Sequence, residues 1–183
     1  MGKIWLTSDL HFNHDKDFIW KARGFNSVQE MNEAIIKNFN SMVAPEDTVY
    51  ILGDNMMGMD MNAGLAYLRR LNGIKYAAIG NHDTDARIEA YRKAGIFADI
   101  QFGYRLKYKG RIYILTHYPT VTANGEDIRT INLYGHTHQK TNFFKDMPFM
   151  YHVGVDSHDC LPVLLDDIIE ECKAKVRECL EYL

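Results

Sequence analysis

Asp9 and His11 stand two residues apart, Asp54 follows Gly53, Asn81 and His82 follow Gly80, His117 precedes Tyr118-Pro119, and His136 and His138 flank Thr137. Carboxylate, imidazole and amide oxygen are together a donor set for divalent transition metals, which make water nucleophilic near neutral pH. Singly, each piece has a plainer reading. In a continuous strand Asp9 and His11 would share one face, and a buried Asp bonded to a nearby His is an ordinary structural pair. Gly53-Asp54 suits a turn, Asn81 could turn or cap the chain where Asp83 or Asp85 starts a helix, and a lone His117 is commonly structural. Two imidazoles one residue apart, after Gly135, form the strongest local signal.

These pieces need scaffolding that brings them together. Each follows an apolar, β-branched run: Ile4–Leu6 with Thr7, Thr48–Leu52, Ala77–Ile79, Ile112–Thr116 and Ile131–Tyr134. Ligands at strand ends converge on one edge of an open α/β sheet. Between the runs, Ser27 and Glu30 fit a capping box, and Val28, Met31, Ile35, Phe39 and Met42 make a helical stripe that should end before Pro45. Ala63, Ala66, Tyr67, Leu68 and Leu71 mark a second helix closed by Gly73, and a third spans 85–94 before Gly95. Tyr104, Leu106 and Tyr108 alternate with charge and lead through Gly110 into the next run, which reads as a hairpin. Short strands near 150–153 and 162–165 precede a terminal helix carrying Ile168, Ile169, Cys172, Val176, Cys179 and Leu180. Helices interleave early and strands crowd late, which predicts a layered α/β sandwich of two packed sheets flanked by helices.

At 183 residues, the chain suits a single domain, 1–183, with room for a substantial core. No apolar stretch approaches the roughly 20 residues that cross a bilayer, and Met1–Trp5 runs directly into a strand, unlike a signal peptide. Leu6 stands where a myristoylation motif wants Ser or Thr. A cytoplasmic location is the expectation. The formal charge of -3, with dispersed Lys and Arg, gives no broad footprint for nucleic acid. Cys160, Cys172 and Cys179 contain no CxxC pair and read as reduced, partly buried thiols.

In order along the chain, Asp-x-His, Gly-Asp, Gly-Asn-His-Asp, His and Gly-His-Thr-His resemble the motifs of the calcineurin-like metallophosphoesterase superfamily. The flanks Thr7–Phe12, Met31-Asn32-Glu33, Thr116–Pro119 and Val153–Asp156 resemble a small single-domain bacterial branch of it. The resemblance implies a four-layer α/β/β/α sandwich of two mixed sheets. It also implies two divalent transition-metal ions, manganese first and Fe, Zn, Co or Ni as alternatives. One would be held by Asp9, His11 and His138, the other by Asn81, His117 and His136, with Asp54 bridging. A hydroxide activated by the two ions would attack the phosphorus of a small phosphodiester or phosphomonoester. His82, left over by this assignment, would donate the leaving group's proton, a role suited to a reference pKa near about 6.5. Asp54 or Asp83 would orient its ring.

Asn81, Asn55, His14 and Arg23 lie near enough to ligands in sequence to contact a phosphate, although His14 could be solvated and Arg23 salt-bridged on a helix surface. Two departures from the family pattern bear on the pocket: Asn13 stands where many relatives carry glycine, and His152 where a small or amide residue is commoner. His152 and His158 read as structural or exposed. The expected partner is a small phosphate ester, a nucleotide among the options, with no membrane. A nuclease acting on a polymer would want a basic track, for which Lys21, Arg23, Arg129 and Lys140 are scattered candidates. A metal-binding scaffold for proteins is a third reading; it would have less use for an intact His82.

Overall fold

The computed structural model describes residues 2–122, 129–140, 144, 147 and 149–181, with side chains to residue 175. In chain order its elements are β1 (Ile4–Thr7), α1 (Asp17–Trp20), α2 (Val28–Met42), β2 (Thr48–Leu52), α3 (Met61–Arg69), β3 (Ile74–Ala78), α4 (Asp85–Ala94), β4 (Asp99–Gln101), β5 (Gly103–Tyr108), β6 (Arg111–Thr116), β7 (Thr130–Tyr134), β8 (Met150–His152), β9 (Val163–Leu164) and α5 (Leu165–Glu181).

Alternation along the central strands separates two cores. In β1, Trp5 joins one apolar cluster and Leu6 the other; in β2, Val49 and Ile51 face the first while Leu52 faces the second. A strand apolar on both faces lies between two layers. The first cluster takes Met31, Ile35 and Phe39 from α2 and Leu65 and Leu68 from α3. The second takes Tyr113, Leu115, Ile131 and Leu133 from β6 and β7, with Ile168, Ile169 and Cys172 from α5. Two mixed sheets flanked by helices result, as expected from the sequence. One sheet has the order β4-β3-β2-β1-β9 and the other β5-β6-β7-β8. β1, β2, β3 and β4 pair in parallel, as do β6, β7 and β8, while β9 and β5 run antiparallel at their sheets' edges.

The helix ends follow side-chain chemistry. The Glu30 amide donates to Ser27 Oγ at 3.1 Å, but the Glu30 carboxylate accepts from the Asn26 amide at 2.9 Å, one residue before the cap. The anticipated box is therefore displaced by one residue on its return arm. Asp60 caps α3, Thr84 caps α4, and Gly95 ends α4 at φ 59°. Lys109 and Gly110, at φ 46° and 79°, turn β5 into β6, as two left-handed residues should in a tight hairpin. The short α1 and β4 escaped the sequence reading, having four and three residues and no periodic stripe. Cys160 and Cys172 are buried free thiols; Val176, Cys179 and Leu180 have side chains outside the described set. Among the described residues no helix is long and apolar enough to cross a membrane.

Parallel pairing makes β1, β2 and β3 end at a common edge, and β6, β7 and β8 do the same in the second sheet. Every predicted ligand lies on a loop leaving that edge.

Candidate metal centre

Ligand-bearing residues sit in unusual backbone. Asp9, His11, Asp54, His136 and His138 have φ of 60°, 49°, 54°, 71° and 45°. Such conformations cost of order 1 kcal/mol or more each and persist only where surrounding contacts dictate them. Here the loops brace one another: the Asp9 amide donates to the Gly53 carbonyl at 3.1 Å, that of His11 to Asp54 at 3.0 Å, and that of Gly135 to His117 at 3.0 Å.

The motif glycines follow from this crowding. A Cβ on Gly80 would lie 2.2 Å from Asp54 Oδ1, one on Gly53 would lie 2.6 Å from His117 Nδ1, and one on Gly135 would lie 2.0 Å from Ser8 Oγ. Glycine lets backbone approach a neighbouring ligand where any side chain would displace it.

Two groups of donors emerge. Donor atoms of Asp9, His11, Asp54 and His138 all lie within 4.8 Å of one another. His11 Nε2 and His138 Nε2 are 3.0 Å apart, a spacing that metal–nitrogen bonds of about 2.1 Å give for adjacent ligands. The second group is as tight: Asn81 Oδ1 is 2.8 Å from both His117 Nε2 and His136 Nδ1, which are 3.2 Å apart. Asp54 Oδ2 lies 3.6 Å from His11 Nε2 and 3.6 Å from His117 Nε2, between the groups. It is buried without a hydrogen-bond partner, as is Asp9 Oδ1. Orphaned buried carboxylate oxygens among converging imidazoles fit a cation, which restores the interactions that burial removed.

Burial is also the main influence on the ligands' protonation. It holds His11 well below its ordinary value, aided by the charges of His138 and Arg23, and lowers His136. Both imidazoles are therefore available as neutral donors. Burial raises Asp9, against the lowering effect of His117 and His138. For His138 burial acts downward, but the hydrogen bond to Asp156 and the charge of Asp9 prevail and raise it. His117 Nδ1 donates to the Leu52 carbonyl at 2.8 Å, which turns Nε2 toward Asn81.

His82 stands apart from both groups. Its backbone amide donates to Asp54 Oδ1 at 2.8 Å, its Nε2 is 4.0 Å from Asp54 Oδ2, and its side chain is 41% exposed. Asp83 cannot orient that ring. Its two oxygens accept from the amides of Gly80, Asp54 and Asn55, from Asn55 Nδ2 and from Tyr91 Oη, fastening the β2 and β3 loops together.

Two of the expected substrate contacts, Asn55 and Arg23, are engaged in internal hydrogen bonds. Asn55 is fully buried, and its Nδ2 is tied to Asp83 rather than pointing to open space. Arg23 is salt-bridged, but inside the protein rather than on a helix surface: its side chain is 2% exposed and bound to Asp156. Its occupied guanidinium cannot also hold a phosphate. His14 remains at the rim, with its ring 5.2 Å from that of His11 and 5.8 Å from that of Phe18. His152 is buried, its Nδ1 2.7 Å from Ser157 Oγ, and His158 Nε2 reaches the His152 carbonyl, so both are structural. Asp156, which accepts from His138 and Arg23, was read in the sequence only as part of a flank because it lies beyond the metal motifs.

Fold and donor set together define a metal-dependent hydrolase architecture. The calcineurin-like phosphoesterase family profile matches residues 2–176, and this chain belongs to that family. It is 32% identical over 180 residues to the uncharacterized protein MJ1445 of Methanocaldococcus jannaschii, covering 93% of this chain and 91% of that one. It is 27% identical over 186 residues to the Gene 66 protein of Mycobacterium phage L5, covering 86% and 88%. Its fold is shared with a protein of unknown function, AQ665 from Aquifex aeolicus, at a TM-score of 0.72 and 24% identity, covering 93% of this chain and 99% of that one.

Proposed function

We propose that this chain is a dinuclear metal-dependent phosphoesterase acting on a small phosphodiester or phosphomonoester, a nucleotide among the candidates. The observation that carries the reading is Asp54 Oδ2, buried, unpartnered and 3.6 Å from one imidazole of each donor group. Asp9, His11 and His138 would hold one ion, Asn81, His117 and His136 the other, and Asp54 both. When bound, such a pair lowers the pKa of water towards about 7 and neutralises phosphate charge.

The chain's own residues supply the rest. Buried imidazoles kept neutral present lone pairs without first losing a proton. Asp83 fixes the Asp54 backbone and thereby the position of the bridging carboxylate. His82, exposed at the site and close to Asp54, is free of both donor groups and can give a proton to a departing alkoxide. His14 at the rim can meet a phosphate oxygen or the leaving group. The polymer reading draws less support, because Lys21 is paired with Asp17 and Arg23 with Asp156.

The test is stripped protein reloaded with manganese, assayed on bis-p-nitrophenyl phosphate and p-nitrophenyl phosphate beside metal analysis. His82→Ala should keep its metal and lose about 100- to 10,000-fold in turnover. Asp54→Ala should lose metal and turnover together. Equal metal loss in both variants would sink the separate role of His82, and bound metal without turnover on any ester would favour a scaffold.

A further inference from the structure

Behind the ligands, a buried guanidinium gathers three loops. Arg23 lies just after α1, outside every metal motif. Its Nε donates to Asp156 Oδ1 at 2.8 Å and its Nη2 to Asp156 Oδ2 at 3.0 Å, a bidentate fork. The same guanidinium donates to two backbone carbonyls, Nη2 to Asp9 at 2.8 Å and Nη1 to Leu10 at 3.2 Å. These carbonyls immediately precede His11, in the stretch where Asp9 and His11 are left-handed. Asp156 Oδ2 in turn accepts from His138 Nδ1 at 2.9 Å. Because a carboxylate can only accept, the proton sits on Nδ1, and Nε2 is left with its lone pair toward His11 and Asp9.

We propose that Arg23 and Asp156 are positioning residues for one ion alone, the one assigned to Asp9, His11 and His138. Asp156 sets the tautomer and orientation of His138, and Arg23 holds both Asp156 and the strained turn that carries Asp9 and His11. His11 depends on that turn, since its Nδ1 is buried with no partner of its own. None of Arg23's hydrogen bonds reaches Asn81, His117 or His136. Of those residues, His117 has its own support, the Leu52 carbonyl behind its ring. The two sites touch through Asp9, whose Oδ2 accepts from the His136 backbone amide at 2.9 Å, but of the two donor groups the side-chain hydrogen bonds of Arg23 and Asp156 reach the first alone. This inference rests on the two-ion reading.

Removing one partner would bury an unpaired charge and could unfold the chain. The double variant Arg23→Met/Asp156→Ala removes both charges together. Manganese titration of stripped protein should give two ions for wild type. In the double variant one should keep its affinity and the other weaken by about 10- to 100-fold. With zinc, nitrogen-15 histidine spectra should show metal lost from His11 and His138 while His117 and His136 retain it. Unchanged affinities, or equal weakening of both ions, would overturn the proposal. A wild type that binds a single ion would refute the two-ion reading instead; the clamp is then judged on that ion, supported if the variant weakens it and refuted if not. If the double variant does not fold, Arg23→Lys decides: it keeps the charge but loses the bidentate fork, so weakening of the first ion alone supports the clamp, and unchanged affinity for both ions, or equal weakening of both, overturns it.

Discussion

At the scale of single residues, the site is a problem of space and strain rather than of donor identity. Five ligand-bearing residues adopt left-handed backbone, and the glycines beside them exist because a Cβ would strike a carboxylate, hydroxyl or imidazole. Gly135 and Gly95 separate these two uses of glycine. A Cβ at Gly135 would meet Ser8 Oγ at 2.0 Å and Asp9 Oδ2 at 2.5 Å, whereas at Gly95 nothing lies within 4 Å. Gly135→Ala should therefore weaken metal binding at least 10-fold, the cost of displacing a ligand by a few tenths of an ångström. Gly95→Ala should lose roughly 1 kcal/mol of stability from left-handed backbone and bind metal as before. Thermal melts paired with metal titrations read both; normal affinity in Gly135→Ala would refute the crowding argument.

At the scale of elements, α2 shows how capping and burial divide the work. Its Ser27 cap satisfies one amide, while Met31, Ile35 and Phe39 are almost completely buried against the first sheet. Ser27→Ala should cost about 1 kcal/mol and Phe39→Ala about 3–5 kcal/mol, measured as denaturant midpoints at constant slope. The reverse order would mean that α2 is held by its terminus rather than its face. The strands contribute by direction: parallel registers such as Leu6↔Tyr50 and Tyr50↔Tyr76 make their exits coincide. Had β2 been antiparallel to β1, Asp54 would leave from the edge opposite Asp9.

At the scale of the whole molecule, the centre joins two sheets, so proton and metal occupancy are coupled to folding. Burial, with a contribution from His158, lowers His152 to about 4. An unfolded His152 titrates near about 6.5. Between those values the unfolded chain binds a proton that the folded chain refuses, so this residue's contribution to stability falls as pH drops from about 6.5 toward 4. His11 and His14 act in the same direction, while the raised His138 contributes stability at low pH that is lost as pH rises through its folded value. Melts of chelated protein should accordingly destabilise on acidification less steeply in His152→Gln than in wild type; parallel curves would remove His152 from the account. Chelation itself should lower the melting temperature of wild type by several degrees, because an ion that binds only the folded state stabilises it by mass action.

Much of this architecture was legible in order along the chain. Alternating and helical apolar periods located the main strands and α2, α3 and α4 to within a few residues, because burial of one face or both imposes those periods on the sequence. The donor types and their glycines announced metal chemistry, since few other functions use seven such side chains at strand ends. The meeting of the two donor groups beside Asp54 Oδ2 was decided only by tertiary structure, through parallel exits of two sheets that no local pattern encodes. The same holds for the internal hydrogen bonds of Asn55 and Arg23, the capture of Asp83 by three backbone amides, and the contact of His138 with Asp156 from beyond the last motif. Hydrogen bonds spanning more than a hundred residues, such as Arg23 to Asp156, leave no period in a sequence; they exist only once the loops that carry them have been folded together.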